Sequence, residues 1–222
     1  AEHLAATVAA EYAAQAVKGA YTPDAAAAGR RALRGRMLGL LTRLDEGAAA
    51  QAQFEAADNM TESMQALSLL VREDRAEVPL AAFYDRWRAD PLVLDKWFSV
   101  QAVLSPPEVA AERVEALTAH PDFDWKTPNR FRSLVGSFAM ANMAAFHRAD
   151  GAGYRLFTDW LIRLDPVNPQ TAARLTCAFE SWRRFDEDRQ ALMLHQLQRL
   201  ADLPNLSKDS AEMVDRILDS RG

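Results

Sequence analysis

A single cysteine, Cys177, in a chain of 222 residues excludes an internal disulfide framework. The simplest compartment for such a chain is a reducing one, read here as the cytoplasm. Glycine is also scarce, nine in all, too few for a fold built on hairpin turns. The four histidines, His3, His120, His147 and His195, never fall at the i, i+4 spacing of a helical zinc site, and there is no H-E-x-x-H, so no metal site is read in this chain. A Gly-x-Ser-x-Gly elbow, a P-loop and a G-x-G-x-x-G turn are equally missing, and the residues nominate no catalytic centre. No apolar run approaches the roughly 20 residues that span a bilayer, and the start lacks a basic-then-apolar leader, which argues against a membrane partner. A net charge of -5 and a pI near 5.4 leave no global field for a phosphate backbone, so nucleic acid is not an expected partner. The local basic run Arg30, Arg31, Arg34, Arg36 and Arg43 is read as a solvated or interdomain helix face.

What remains is helical periodicity over nearly the whole length. Phe131, Leu134, Val135 and Phe138 stand at i, i+3, i+4 and i+7, which places them on one stripe. Tyr154, Phe157, Leu161 and Leu164 repeat the pattern, as do Leu175, Phe179 and Trp182, and Met193, Leu197 and Leu200. All five tryptophans are assigned to the core. The breaks carry start signals: Thr22-Pro23, Asp90-Pro91, Ser105-Pro106, Thr127-Pro128 and Asn168-Pro169 each read as an N-cap followed by proline, and Ser105 with Glu108 as a capping box. Asn59 with Glu62 reads as a similar start. Asp186, Glu187 and Asp188 read as the negatively charged first turn of a helix rather than as an acid/base pair. The prediction is an all-α fold of about a dozen helices, packed as antiparallel pairs in an armadillo/HEAT-like superhelix, with residues 1–222 forming one domain. Ala1 falls inside a helical pattern with no initiator methionine, which suggests a piece of a longer protein.

Several stretches resemble, in order, the C-terminal region of the bacterial aminopeptidase N family. They are Asn59-Met60-Thr61, Asp95-Lys96-Trp97-Phe98, Pro128 to Leu134 (PNRFRSL), Phe146 to Tyr154 (FHRADGAGY), and Asn168-Pro169-Gln170 leading to Arg174. The resemblance runs from about Arg30 to Ile217; the alanine-rich beginning and Val167-Asn168 depart from it. That family consists of zinc-dependent peptidases whose thermolysin-like domain supplies H-E-x-x-H, a distal glutamate and a G-x-M-E-N element, none of which is in this chain.

The resemblance implies a non-catalytic terminal domain that covers the catalytic domain of the same polypeptide, encloses the zinc site and restricts entry to short peptides. It also implies that Arg132 and Arg174 face the cavity and hold the peptide substrate, where periodicity alone reads both as helix-surface ion pairs or carbonyl caps. His147 is expected to hydrogen-bond the turn containing Gly151 and Gly153, with Trp97 and Phe98 in the core and Asp95 and Lys96 in a surface or interdomain pair. Removal of the catalytic domain would expose apolar surface, so self-association of the isolated chain is a further expectation. The other class of function open to such a fold is a free-standing helical scaffold that binds another protein.

Overall fold

The computed structural model describes residues 4–219, and every regular element among them is helical, as expected. His3 lies outside the described residues. The chain divides into two compact units, residues 1–90 and 91–222.

The first unit holds α1 (Ala5–Ala14), α2 (Ala25–Leu41), α3 (Ala48–Ala56), α4 (Met60–Arg72) and α5 (Glu77–Trp87). Helix α1 packs on α2 and α3 on α4, around Leu38, Ala50, Leu67, Val71 and Phe83. Asn59 caps α4 as its sequence suggests: its Oδ1 accepts from the Glu62 N–H at 3.0 Å, and its Nδ2 donates to the Glu62 carboxylate at 2.8 Å. The start of α2 differs. Asp24 is the cap, accepting from the Ala27 N–H at 2.9 Å, while the Thr22 hydroxyl donates to the Asp24 carboxylate instead of capping the helix itself.

The basic run on α2 is also less solvated than its composition suggests. Arg31 is buried, donating to the Thr22 carbonyl at 2.7 Å with its guanidinium over the Tyr21 ring. Arg30 caps the end of α1 through the Ala14 and Ala16 carbonyls, and Arg34 pairs with Glu62 and the Tyr12 hydroxyl. Three of the five arginines thus tie the unit together, because unpaired helix carbonyls need donors that planar guanidiniums supply.

The second unit contains α6 (Pro91–Leu104), α7 (Pro107–Thr118), α8 (Pro128–Phe131), α9 (Ser137–Ala141), α10 (Met143–Phe146), α11 (Ala152–Leu164), α12 (Pro169–Thr176), α13 (Glu187–Ala201) and α14 (Lys208–Asp219). A π-helical turn, Arg132–Gly136, joins α8 to α9 without a break. The Phe131, Leu134, Val135 and Phe138 stripe that runs through it is fully buried. Phe146 is the hub of an aromatic core, edge-on to Phe138, Tyr154 and Phe157 with centroids 5.2–6.1 Å apart. Asp186 caps α13 by accepting from the Arg189 N–H, and Asn168 caps α12 by accepting from the Thr171 N–H, both at 3.1 Å.

Two cap assignments fail here. α7 begins at Pro107 with Pro106 as its N-cap, so Ser105 lies one residue too early; its hydroxyl accepts from Arg113, and no capping box forms. Thr127 precedes α8 but donates to Asp124. Of the five tryptophans, Trp97, Trp160 and Trp182 are buried, whereas Trp87 and Trp125 are half-buried, their rings flanked by Arg86, Lys126 and Arg163. Cations stacked on the outer faces let those indoles remain partly in water.

Candidate functional site

Arg132 and Arg174 are 42 positions apart in sequence, and the second unit brings both to one groove of about 440 Å3. Three features of the chain produce that meeting. Pro128 opens α8 and the helix widens to π geometry at Arg132, where the Ser137 N–H reaches back five residues to the Arg132 carbonyl. The same carbonyl accepts from the Ser137 hydroxyl at 3.0 Å, so the wider turn leaves no acceptor exposed. The third feature is Gly136, at the end of that turn: a Cβ there would stand 3.4 Å from Leu175 Cδ2 and 3.6 Å from Arg132 Cβ. Both are ordinary van der Waals distances, and they mark Gly136 as the point where the end of α12, which carries Arg174, lies against the turn that carries Arg132.

Both guanidiniums are exposed. Arg132 Nη2 donates to Asn129 Oδ1 at 2.5 Å, which fixes one edge of the fork and leaves the rest open. Among the described residues neither arginine has a carboxylate within ion-pair distance. Met140, half exposed at 49%, and Leu175 give the groove an apolar side. Gln170, Thr171 and Cys177 complete it. Burial, with the Glu180 carboxylate adding to it, pushes the Cys177 thiol up, so it stays protonated and unreactive at neutral pH. Sequence reasoning reached the two arginines but not Met140 or Cys177, which carry no signal of facing the same space.

The other stretches singled out in the sequence are structural. Arg130 in PNRFRSL binds Asp95 in DKWF at 2.5 Å, also donates to the Asp122 carbonyl, and lies over the Phe98 ring. Asp95 therefore joins two of the motifs within one unit instead of pairing at a surface. His147 is buried; its Nδ1 meets the Tyr154 hydroxyl at 2.9 Å and its ring stacks on Phe185 at 4.1 Å. Its partner is thus Tyr154, which lies in the first turn of α11 together with Gly153. Gly151 does adopt the left-handed conformation, φ +66°, and a Cβ on Gly153 would sit 2.6 Å from the Phe146 carbonyl oxygen. The described residues contain no group of three or more His, Cys, Asp or Glu side chains able to hold a metal ion. No helix among the described residues is long and apolar enough to cross a membrane.

Residues 1–219 match the family described as a domain of unknown function (DUF3458_C) with ARM repeats. The chain belongs to the DUF3458_C family. Its ARM-repeat character agrees with the armadillo-like architecture expected from the caps and stripes. This ARM-repeat domain is 43% identical over 207 residues to aminopeptidase N of Caulobacter vibrioides, covering 91% of the chain and 24% of that relative. It is 45% identical over 170 residues to aminopeptidase N of Haemophilus influenzae and 40% over 171 residues to that of Escherichia coli K12, covering 76% and 75% of the chain and 19% of each relative. The chain thus spans about a fifth to a quarter of the length of the curated relatives it matches. Among solved structures, Legionella pneumophila aminopeptidase A in complex with aspartic acid superposes with a TM-score of 0.89 at 32% identity, covering 99% of the chain and 27% of that protein. The recognition of an aminopeptidase N C-terminal domain, made on five short motifs, agrees with these similarities.

Proposed function

We propose that this domain is the non-catalytic helical part of a zinc-dependent aminopeptidase, that it covers an active site supplied by another part of the same polypeptide, and that Arg132 and Arg174 hold the peptide beyond the scissile bond. The observation that carries the reading is their convergence on one groove with no carboxylate to neutralise them. Some exposed arginines of this unit are neutralised, Arg199 by Asp159 and Arg216 by Glu180, whereas Arg163 lies over the Trp125 and Trp160 rings instead. Two exposed guanidiniums held side by side are suited to carbonyl or carboxylate oxygens of a bound peptide.

Zinc belongs, on this reading, to the catalytic domain, which is the domain's partner together with the peptide. A lid of this kind serves the chemistry by excluding bulk water and admitting only short or unfolded chains. The compartment we assign is the cytoplasm, on the lone cysteine. A free-standing scaffold is not favoured, since the chain is similar to part of aminopeptidase N from three bacteria.

The test is Arg132→Ala and Arg174→Ala in the full-length enzyme, assayed on tripeptides and on single-residue chromogenic substrates. KM for the peptides is expected to rise while the chromogenic substrates are spared. Equal effects on the two substrate types would remove the arginines from the binding site.

A further inference from the structure

We propose that Ser137 is a positioning residue: its hydroxyl holds the π turn in place, and the turn sets Arg132 in line with Met140. Ser137 itself is not part of the groove lining. The role rests on the substrate-binding reading above and adds to it the residue that fixes its geometry.

Helical phase shows what the turn does. In an unbroken α-helix Arg132 and Met140, eight positions apart, would point about 80° away from each other. The π turn at Arg132–Gly136 takes in one extra residue, so the pair is offset as if roughly seven apart, about 20°, and falls on one line of the helix. That is the arrangement observed, with Arg132 and Met140 lining one groove together with Gln170 and Arg174 of α12. In α geometry one of the two would turn out of it.

The wide turn needs a cause, because π geometry is rare and an α turn is the default. A serine hydroxyl in an α-helix bonds the carbonyl three or four residues back. The Ser137 hydroxyl instead donates to the Arg132 carbonyl, five residues back, at 3.0 Å. The wider turn brings that carbonyl within reach, so the bond favours π over α. Ser133, in the same turn, gives no such preference: it donates to the Arg130 carbonyl three residues back, at 2.8 Å, as it could in any helix. The Ser137 hydroxyl is also oriented from outside. Ser99 on α6, which packs against the turn, donates to it at 3.3 Å and leaves its proton for the Arg132 carbonyl. The competing account is that burial of Arg130 and Phe131 before the turn and of Phe138 after it dictates the register, with the hydroxyl merely following.

The experiment uses the full-length enzyme with Ser137→Ala, Ser137→Thr and Ser99→Ala, alone and combined with Arg132→Ala, assayed on tripeptides. Ser137→Ala is expected to raise KM roughly three- to tenfold at unchanged kcat, the size of one neutral hydrogen bond. Ser137→Thr keeps the hydroxyl and should restore the parent KM, while Ser99→Ala should give a smaller rise. Once Arg132 is alanine, Ser137→Ala should add nothing, since its effect passes through that side chain. An unchanged KM in Ser137→Ala, while Arg132→Ala raises it, overturns the inference and leaves the proposed function standing. An equal loss in Ser137→Thr, or a further loss in the Arg132→Ala background, overturns it as well, because either marks a general disturbance of packing. If neither Arg132→Ala nor Ser137→Ala moves KM, the proposed function falls with it. A crystal structure of the Ser137→Ala enzyme reads the turn without an assay: residues 132–136 are expected in α geometry with Arg132 and Met140 out of line, and a retained π turn overturns the inference. Should Ser137→Ala fail to fold, Ser99→Ala carries the same comparison.

Discussion

At the scale of single residues, two buried polar groups on and beside α11 make opposite predictions. Asp165 is 3% exposed and accepts three hydrogen bonds: from the Ser207 N–H at 2.8 Å and from the Ser207 and Ser210 hydroxyls at 2.5 Å each. It ties the end of α11 to the start of α14. Asp165→Ala leaves all three donors without an acceptor and is expected to cost about 3 kcal/mol in urea denaturation. Thr158, with no exposure at all, has a hydroxyl without a partner among the described residues. Thr158→Val keeps the shape and removes the unpaired group, so stability should hold or rise by about 1 kcal/mol. A large loss in that variant would mean the hydroxyl has a partner, such as a buried water.

His147 adds a pH dependence whose sign follows from its surroundings. Burial, and secondarily the Arg189 guanidinium, hold the imidazole down at about 4 against an ordinary value near 6.5. The unfolded chain therefore takes up a proton in the interval where the folded chain does not. The stabilisation tied to neutral His147 is complete above about pH 6.5 and is lost as pH falls toward 4, by at most about 3 kcal/mol. Denaturation midpoints measured from pH 7 to pH 4 should fall, and His147→Gln should flatten that decline.

At the scale of elements, periodicity was a reliable guide and capping a partial one. The Phe131 to Phe138 stripe is buried as read, because apolar spacing is set by the core it faces. Caps depend on local dihedrals and on competing partners. Asn59 and Asn168 cap their helices, but Thr22 and Thr127 bond to aspartates and Ser105 accepts from Arg113. The π turn left no mark at all: RSLVG reads as ordinary helix, yet that turn carries Arg132 and packs against Leu175 at the end of α12. Arg132 and Arg174 were thus legible only through family resemblance, and the groove's apolar wall was not legible. Glycine at 153 can be tested directly. Its Cβ would meet the Phe146 backbone oxygen at 2.6 Å and its Cα at 2.9 Å, neither of which can turn aside as a flexible side chain could. Gly153→Ala is expected to destabilise the second unit by about 2 kcal/mol or more, whereas Gly29→Ala, with nothing within 4 Å and a helical position on α2, should be neutral or mildly stabilising by thermal melting.

At the scale of the whole molecule, the missing catalytic motifs fit the proposed role, in which this domain would supply access and contacts while another part of the polypeptide supplies the chemistry. This domain matches 24% of the Caulobacter relative and 19% of the other two, so each of those relatives is several times its length, and the proposed function can be tested on the full-length enzyme. Removing residues 1–222 from that enzyme separates the two ways a covering domain can matter. If it gates, the truncated enzyme keeps its zinc and cleaves chromogenic substrates, while its preference for short over long peptides relaxes, since the lid no longer limits access. If it helps assemble the site, zinc stays bound but activity on every substrate is lost, because the catalytic groups are no longer held in position. On the proposed function the first outcome comes with one addition: short peptides that reach the groove of Arg132 and Arg174 should also lose affinity, so KM rises for those while long peptides gain. Unchanged size selection together with unchanged KM would exclude both roles.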